Sequence, residues 1–398
     1  MDQREPTMEK PPGSQNSAEA MLIILGAGAS HDCLPSNIKD ATFLSGTVVG
    51  GTHLSEIRPR LTQQLAQSGP LTNWFTSRWA SATPAISHLR ATLLKTPSSS
   101  DDQQAQTLES ALREYEDGSL RDPARRRHLL ALSFYLRDLF TACTDYVHAP
   151  EVGGGDTNQL RLLGEIRLWG GSKAQRTVTF VSFNYDLILE HAMTVHSQFD
   201  PLKLSDYLND PLSRLLKPHG SACWHWGFTP PSGTSSDSSL DAGQQAIDRA
   251  ISEDPNRDRL VLQKFDYRNG SKSTVVDDLI PAICLPMDGK DTYVWPPEQR
   301  QALEKLHGQV TRLMTIGWRA LEPGFLPLLK PLLHRSAKVL VVTGSKDGSK
   351  DGSNEAEAIL QRLRETCTSA DDNQWRIYGD GFTGLLEDSD EFKWFLED

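Results

Sequence analysis

Met21-Leu22-Ile23-Ile24-Leu25 is an unbroken apolar run that stops at Gly26-Ala27-Gly28-Ala29-Ser30. A run this short and uniformly apolar predicts a strand buried on both faces of a sheet, with the glycines as its exit turn. Thr177-Val178-Thr179-Phe180-Val181, β-branched and apolar, predicts another strand; it crosses through the polar Ser182-Phe183-Asn184-Tyr185-Asp186 into helical spacing at 187–191. Further strands are expected at 313–316, 339–342 and 375–378, and helices at 297–307, 323–334 and 355–364. Strands interleaved with helices predict a parallel sheet covered on both faces.

Between the first two strands the period changes. Leu129, Leu132, Leu136, Leu139, Phe140, Cys143 and Val147 recur at three and four residues, the stripe of an amphipathic helix. The stretch 54–169 therefore reads as an inserted helical subdomain, within an α/β domain made of 20–53 and 170–398. Residues 1–19, with Pro6, Pro11, Pro12 and Gly13 and no apolar period, read as a disordered tail. The Ser-, Asp- and Gly-rich stretch 232–258 reads as a mobile surface loop, with room for a short helix. The segment from Trp375, ending in an acidic and aromatic tail, either closes the sheet or packs on a neighbouring subunit.

Three polar groups follow strands, at the sheet end where open α/β folds bind ligands. Gly26-Ala27-Gly28 lets a pyrophosphate approach backbone N–H groups, and equally fits a tight turn with no ligand. Asn184 and Asp186 place an amide and a carboxylate at one turn, and are also residues that cap helices. Lys217-Pro218-His219-Gly220-Ser221 sets an imidazole, suited to general-base work, beside a glycine. The dinucleotide fingerprint of dehydrogenases is incomplete: His31 stands at its third glycine, and no acidic residue closes a second strand about 20 residues on.

Composition narrows the partners. With 41 Lys and Arg against 52 Asp and Glu, the net charge of −11 over 398 residues argues against direct nucleic-acid binding. The basic run Arg125-Arg126-Arg127 suits an acidic partner or a solvated helix turn. No apolar stretch approaches the roughly 20 residues that span a bilayer, and no signal-peptide core opens the chain, so a cytoplasmic protein is expected. Cys33, Cys143, Cys223, Cys284 and Cys367 are scattered without a Cys-x-x-Cys pair, so they are expected reduced and buried, and no metal site is expected. Trp224 and Trp226 beside His225 fit a cleft wall, an interface or, as aromatics near a strand, the core.

The order Gly-Ala-Gly-Ala-Ser, Asn-Tyr-Asp, His-Gly-Ser resembles the sirtuin family, specifically the sirtuin-like domains of bacterial anti-phage defence proteins. Asp32-Cys33-Leu34-Pro35, Ile316-Gly317-Trp318 and Thr343-Gly344-Ser345 fit the same pattern. The resemblance implies a Rossmann-like α/β sheet that binds NAD as substrate. Gly26, Ala27, Gly28 and Ser30 would meet its phosphates and adjoining ribose, and Gly317, Gly344 and Ser345 would line the adenosine half. Asp186 would face the nicotinamide, and Asn184 and His219 would be catalytic. The four-cysteine zinc module and the Gly-Ile-Pro-Asp-Phe-Arg type segment of deacylating sirtuins are absent, which argues against protein deacylation. The expectation is an NAD+ glycohydrolase, with a non-catalytic NAD or ADP-ribose sensor as the alternative. The family further implies homo-oligomers and a regulatory partner, such as a DNA-translocating ATPase or an Argonaute-like protein.

Overall fold

The computed structural model describes residues 19–33, 48–49, 52–53, 70–95, 101–119, 121–149, 155–171, 176–210, 213–229, 239–264, 279–285, 293–344, 351–367 and 374–397. The expected tail lies outside the described residues, apart from Glu19, which opens the first strand.

β1 (Glu19–Leu25) leads into a short helix, α1 (Ala27–His31). Four helices follow: α2 (Pro70–Arg78), α3 (Thr83–Lys95), α4 (Asp101–Ser119) and α5 (Pro123–Val147). Next come α6 (Asn158–Gly171), β2 (Arg176–Ser182), α7 (Ile188–His196) and β3 (Ser213–Leu216). After β4 (Gly220–Gly227), α8 (Ser239–Ser252), β5 (Asn256–Leu262) and β6 (Leu279–Ile283), the chain continues with α9 (Pro297–Glu304) and β7 (Val310–Ile316). β8 (Leu333–Val342), α10 (Asp351–Thr366), β9 (Trp375–Tyr378), α11 (Gly381–Asp388) and α12 (Asp390–Leu396) complete it.

Six strands form one parallel sheet in the order β9-β8-β7-β1-β2-β3. Numbered by their sequence within this sheet, that is 6-5-4-1-2-3, the doubly wound Rossmann order, with its switch point between β1 and β7. The fold is therefore α/β and Rossmann-like, as the alternation of periods implies. β1 explains its own composition. Met21, Ile23 and Leu25 enter the core beneath α6, α7, α11 and α12, while Ala20, Leu22 and Ile24 enter the opposite core with residues of α9 and α10. Successive side chains of a strand point to opposite faces, so only an unbroken apolar run serves both.

A second, antiparallel sheet, β5-β4-β6, packs with α2 to α5 and α8 around a separate core that includes Phe75, Trp79, Phe134, Ala246, Ile247 and Ile280. Packing thus crosses the sequence boundaries at two places. α6, inside the helical stretch, contributes Leu162, Leu163, Ile166 and Trp169 to a face of the Rossmann sheet. Residues 220–283, outside that stretch, build part of the helical core.

α5 is buried around most of its circumference, a departure from a single apolar stripe. Asp122 caps it by accepting from Ala124 N at 2.9 Å, with Pro123 in the first turn. Its buried charged residues are bonded within the core: Asp138 accepts from Trp79 Nε1 at 2.7 Å and from Arg137 Nη2 at 2.7 Å. The partner on its second side is α8, formed where a mobile loop was expected. Ala246, Ile247 and Ala250 of α8 are buried, and Gly243 sits so tightly under Trp79 that a Cβ there would overlap the indole. The Arg125-Arg126-Arg127 run is used within the chain: Arg126 and Arg127 pair with Asp254 and Asp248, and Arg125 lies over the Tyr115 ring.

Two other expectations change. The predicted helix 323–334 shrinks to one turn, Leu326–Leu329, because Pro323 and Gly324 break it and β8 already begins at Leu333. Trp224 is core, while Trp226 is half-buried under Arg257. The carboxyl-terminal segment closes the sheet: Phe392 and Phe395 enter the core, and Arg312 and Lys338 hold the carbonyls of Phe395, Trp394 and Glu397. All five cysteines are free and buried. No helix among the described residues is long and apolar enough to cross a membrane.

One buried and one half-buried imidazole give this architecture a pH dependence. Burial, aided by the Arg137 cation, pushes His225 on β4 down to about 3. Burial, aided by His148, whose ring centroid is 4.3 Å away, pushes His191 on α7 down to about 4. Both are neutral when folded and protonate near their ordinary value of about 6.5 when unfolded, so their contribution is complete above that pH and is lost below it. Each removes about 1.4 kcal/mol of stability per pH unit on acidification until its folded-state value is reached. Urea unfolding between pH 6 and pH 4 should show a slope shallower by about 1.4 kcal/mol per unit in His225→Gln than in the wild type; equal slopes would contradict the assignment.

Candidate functional site

The site lies where β1, β2 and β7 end, at the switch point of the sheet. Gly26 N donates to Ile316 O at 3.0 Å, and Gly28 N donates to Gly317 O at 3.1 Å. A Cβ on Gly28 would stand 2.7 Å from Gly317 Cα, and a Cβ on Gly317 would overlap Gly28 Cα. Gly317 also adopts φ +58°, a left-handed conformation that side chains disfavour. Only glycine on both sides permits this approach.

This revises the expected phosphate cradle. The N–H groups of Gly26, Gly28 and Ala29 already donate to Ile316, Gly317 and Gly26 carbonyls, and α1 has only 5 residues to supply a dipole. Of the turn, Ala27 is the exposed residue. The glycines join two loop backbones, which is the tight-turn reading of the motif, and leave Ala27 at the rim of the crevice.

Ser30, one turn into α1, reaches across to the end of β2. Its Oγ donates to Asp186 Oδ2 at 2.6 Å and accepts from Asn184 Nδ2 at 2.7 Å. Asn184 Nδ2 also donates to Gly26 O at 2.8 Å. Both amide hydrogens are therefore engaged, and the side chain offers Oδ1 as its acceptor. Asp186 Oδ1 accepts from Ile188 N at 3.1 Å, so this carboxylate supports the first turn of α7 while holding Ser30. Asn184 caps nothing. Ser30, Asn184 and Asp186 are all buried, and their interior setting strengthens these bonds.

His219 stands beside this cluster. Its ring lies 4.8 Å from that of Phe183 and 6.1 Å from that of Tyr185, the two chain neighbours of Asn184. Tyr293, a residue without a sequence signal, lies nearly parallel to the imidazole at 6.3 Å. Phe183 in turn stacks on Trp318 at 5.6 Å, so one aromatic wall joins the ends of β2 and β7 to the imidazole. The His219 backbone is held at both sides: His219 O accepts from Cys284 N at 2.9 Å, and Pro218 O from Val294 N at 2.8 Å.

A buried ion pair lies under these loops. Lys217 Nζ is 2.9 Å from Glu190 Oε1 and donates to Asp186 O at 2.9 Å, while Ser221 Oγ donates to the same Glu190 oxygen at 3.0 Å. Burial pushes the Glu190 carboxyl up, and the Lys217 charge opposes the shift. Neither residue carried a role in the sequence reading, although Lys217 sits two residues from His219.

The remaining candidates divide. Gly317 is at the switch point. Gly344 is one strand further, where Gly381 N donates to Thr343 O at 2.8 Å. Ser345 lies outside the described residues, as do Leu34 and Pro35. Asp32 faces the carboxyl-terminal segment, accepting from Thr383 N at 2.9 Å and Thr383 Oγ1 at 2.7 Å. The helical core touches the same rim through Glu109 on α4, which accepts from Arg319 Nη2 at 2.5 Å.

No protein-family model matches this chain, and no curated protein does. Among solved structures the chain is similar to one described under "Structural Basis for the Mechanism and Regulation of Sir2 Enzymes". The two share 11% identity over 88% of this chain and 93% of that one, with a TM-score of 0.31. At that score the likeness carries no argument about chemistry, and the fold rests on the strand order itself.

The glycine contact is open to direct measurement. Gly317→Ala should lower unfolding stability by about 2–5 kcal/mol, the sum of a strained left-handed residue and an overpacked backbone contact. Gly344→Ala, whose Cβ would meet only Gly381 Cα at 3.9 Å, should change it by under about 0.5 kcal/mol in the same urea titration. Equal effects at the two positions would refute the backbone contact at the switch point.

Proposed function

We propose that this chain is a sirtuin-like NAD+ glycohydrolase, releasing nicotinamide and ADP-ribose, and that it serves as the toxic effector of a bacterial anti-phage defence system. One observation carries the reading: the Gly26 turn, Ser30, Asn184 and Asp186 form one hydrogen-bonded cluster at the switch point, with His219 against both neighbours of Asn184. An amide acceptor and an imidazole carried on packed loops at the end of a Rossmann sheet suit the ribose end of a dinucleotide. The defence role rests on the sequence resemblance alone.

In this reading the crevice holds the nicotinamide ribose beside Asn184. The bond from ribose C1′ to the nicotinamide nitrogen breaks, its electron pair leaves with neutral nicotinamide, and positive charge develops on the ribose. Asn184 Oδ1 accepts a hydrogen bond from the attacking water, whose oxygen bonds to C1′. His219 takes the proton that this water loses. Asp186 stays engaged with Ser30 and α7, so it orients the cluster and faces the nicotinamide side. Ala27 and the rim beyond Gly317 and Gly344 run towards the phosphates and adenosine. The cost of free NAD hydrolysis to a cell requires control, and a homo-oligomer or a partner such as a DNA-translocating ATPase or an Argonaute-like protein would supply it. The Arg319–Glu109 contact gives the helical core a direct connection to the crevice.

A non-catalytic NAD or ADP-ribose sensor is the second reading, favoured by one feature: the glycine-turn N–H groups and the Asn184 amide hydrogens are already satisfied within the protein. Incubating the pure protein with NAD, alone and with the product of a neighbouring gene, and measuring nicotinamide and ADP-ribose by mass spectrometry separates the two. Turnover is expected, with Asn184→Ala and His219→Ala each reducing it at least about 100-fold, as for a positioned base, at unchanged circular dichroism. Wild-type rates in both variants refute the assigned roles. NAD binding without nicotinamide release establishes the sensor instead.

A further inference from the structure

We propose that the buried Lys217–Glu190 pair is a positioning strut that sets His219 against Asn184, an inference that rests on the glycohydrolase reading above. Glu190 lies on α7, one helical turn past Asp186, and Lys217 and Ser221 flank His219 on the next segment. One carboxylate oxygen, Glu190 Oε1, gathers Lys217 Nζ at 2.9 Å from one flank and Ser221 Oγ at 3.0 Å from the other. The same ammonium donates to Asp186 O at 2.9 Å, on the segment that carries Asn184. The backbone adds Ala222 N donating to Tyr185 O at 2.8 Å. Gln299 on α9 fixes the start of the flank by accepting from Lys217 N at 2.9 Å.

Both charged side chains are fully buried. A buried ion pair is replaceable by well-packed apolar residues at little or no loss of stability, so stability alone does not account for this one. Glu190 Oε2 is buried with no hydrogen-bond partner, a cost that an apolar pair of the same volume would avoid. What the pair supplies and an apolar pair does not is direction: charge-assisted bonds with short, fixed geometry between two loops. Strut and cluster also share a point, because Asp186 bonds Lys217 through its carbonyl and Ser30 through its carboxylate. A shift in the strut therefore moves the amide and the imidazole relative to each other. Proton transfer and water attack are sensitive to that separation, whereas ground-state binding of the rest of NAD depends on the far rim.

The test replaces the pair by apolar residues of similar size, Lys217→Met with Glu190→Leu. The double variant is expected to fold, with an unfolding midpoint equal to the wild type or higher, while kcat for nicotinamide release falls at least about 10-fold and KM for NAD changes less than about 3-fold. A folded double variant with kcat within twofold of wild type overturns the proposal. If that variant fails to fold, Ser221→Ala and Glu190→Gln decide: each should lower kcat about 3- to 10-fold at constant KM, and unchanged kcat in both overturns it. A second readout does not need turnover. In protein carrying 13C-labelled histidine, the His219 Cε1–H resonance, assigned by its loss in His219→Ala, should shift in the strut variants. A shifted resonance in a protein whose wild type releases no nicotinamide refutes the glycohydrolase reading and retains the strut. An unshifted resonance refutes the strut.

Discussion

The backbone-to-backbone contact of Gly26 and Gly28 with Gly317 is the constraint on which the rest of the molecule depends. In a doubly wound sheet the chain leaves β1 and β7 in opposite directions, which opens a crevice outside their carboxyl ends. Here the two exits are stapled together at the base of that crevice, with no side chain between them. The contact sets how far α1 stands from β2, and so lets Ser30 reach Asn184 and Asp186 with short bonds. It also brings Trp318 over Phe183, from which the aromatic wall beside His219 is built. Glycine at these positions serves packing first, and its consequence for a ligand is indirect.

Around that contact, Ser30, Asn184 and Asp186 are bonded to one another and to neighbouring backbone. Asn184 directs both amide hydrogens inward and presents an oxygen; Asp186 divides its two oxygens between Ser30 and α7. Such a network is rigid because any rotation of one member leaves another unsatisfied in a low-dielectric interior. The helical core meets the loop after β7 through Glu109 and Arg319, and the loop after β2 through Thr144, whose Oγ1 accepts from Leu187 N at 3.0 Å. Burial holds the Tyr185 phenol well above its ordinary range, with Glu109 and Glu322 adding to the shift, so the tyrosine beside His219 stays a neutral donor to Cys284 O.

The parallel sheet was legible wherever a strand had to feed two cores at once. β1, β2 and β9 follow their apolar runs closely, and β8 differs only in starting at Leu333, because edge-side residues such as His334 and Arg335 are exposed and carry no apolar signal. Failure came where partners were distant. α8 lies in a stretch whose Ser, Asp and Gly content masks its apolar positions, and Ala246, Ile247 and Ala250 are buried because α5 and Trp79 accept them closely. α6 looks like its helical neighbours but packs on β2 and α7. Asn184, Asp186 and His219 stood out as polar residues after strands, whereas Lys217, Glu190 and Tyr293 did not, since a lysine, a glutamate or a tyrosine in isolation carries no sign of burial.

The amino-acid order alone determined the alternation of strand and helix, the polar exits of β1 and β2, and the net negative charge, because each depends on local spacing or on simple sums. Only the folded chain decided that Gly317 meets Gly28, that one carboxylate holds both flanks of His219, and that Ser30 closes on residues more than 150 positions away. The physical reason is that hydrogen bonds and backbone contacts act over a few ångströms of space, and separation along the chain places no limit on which groups they join.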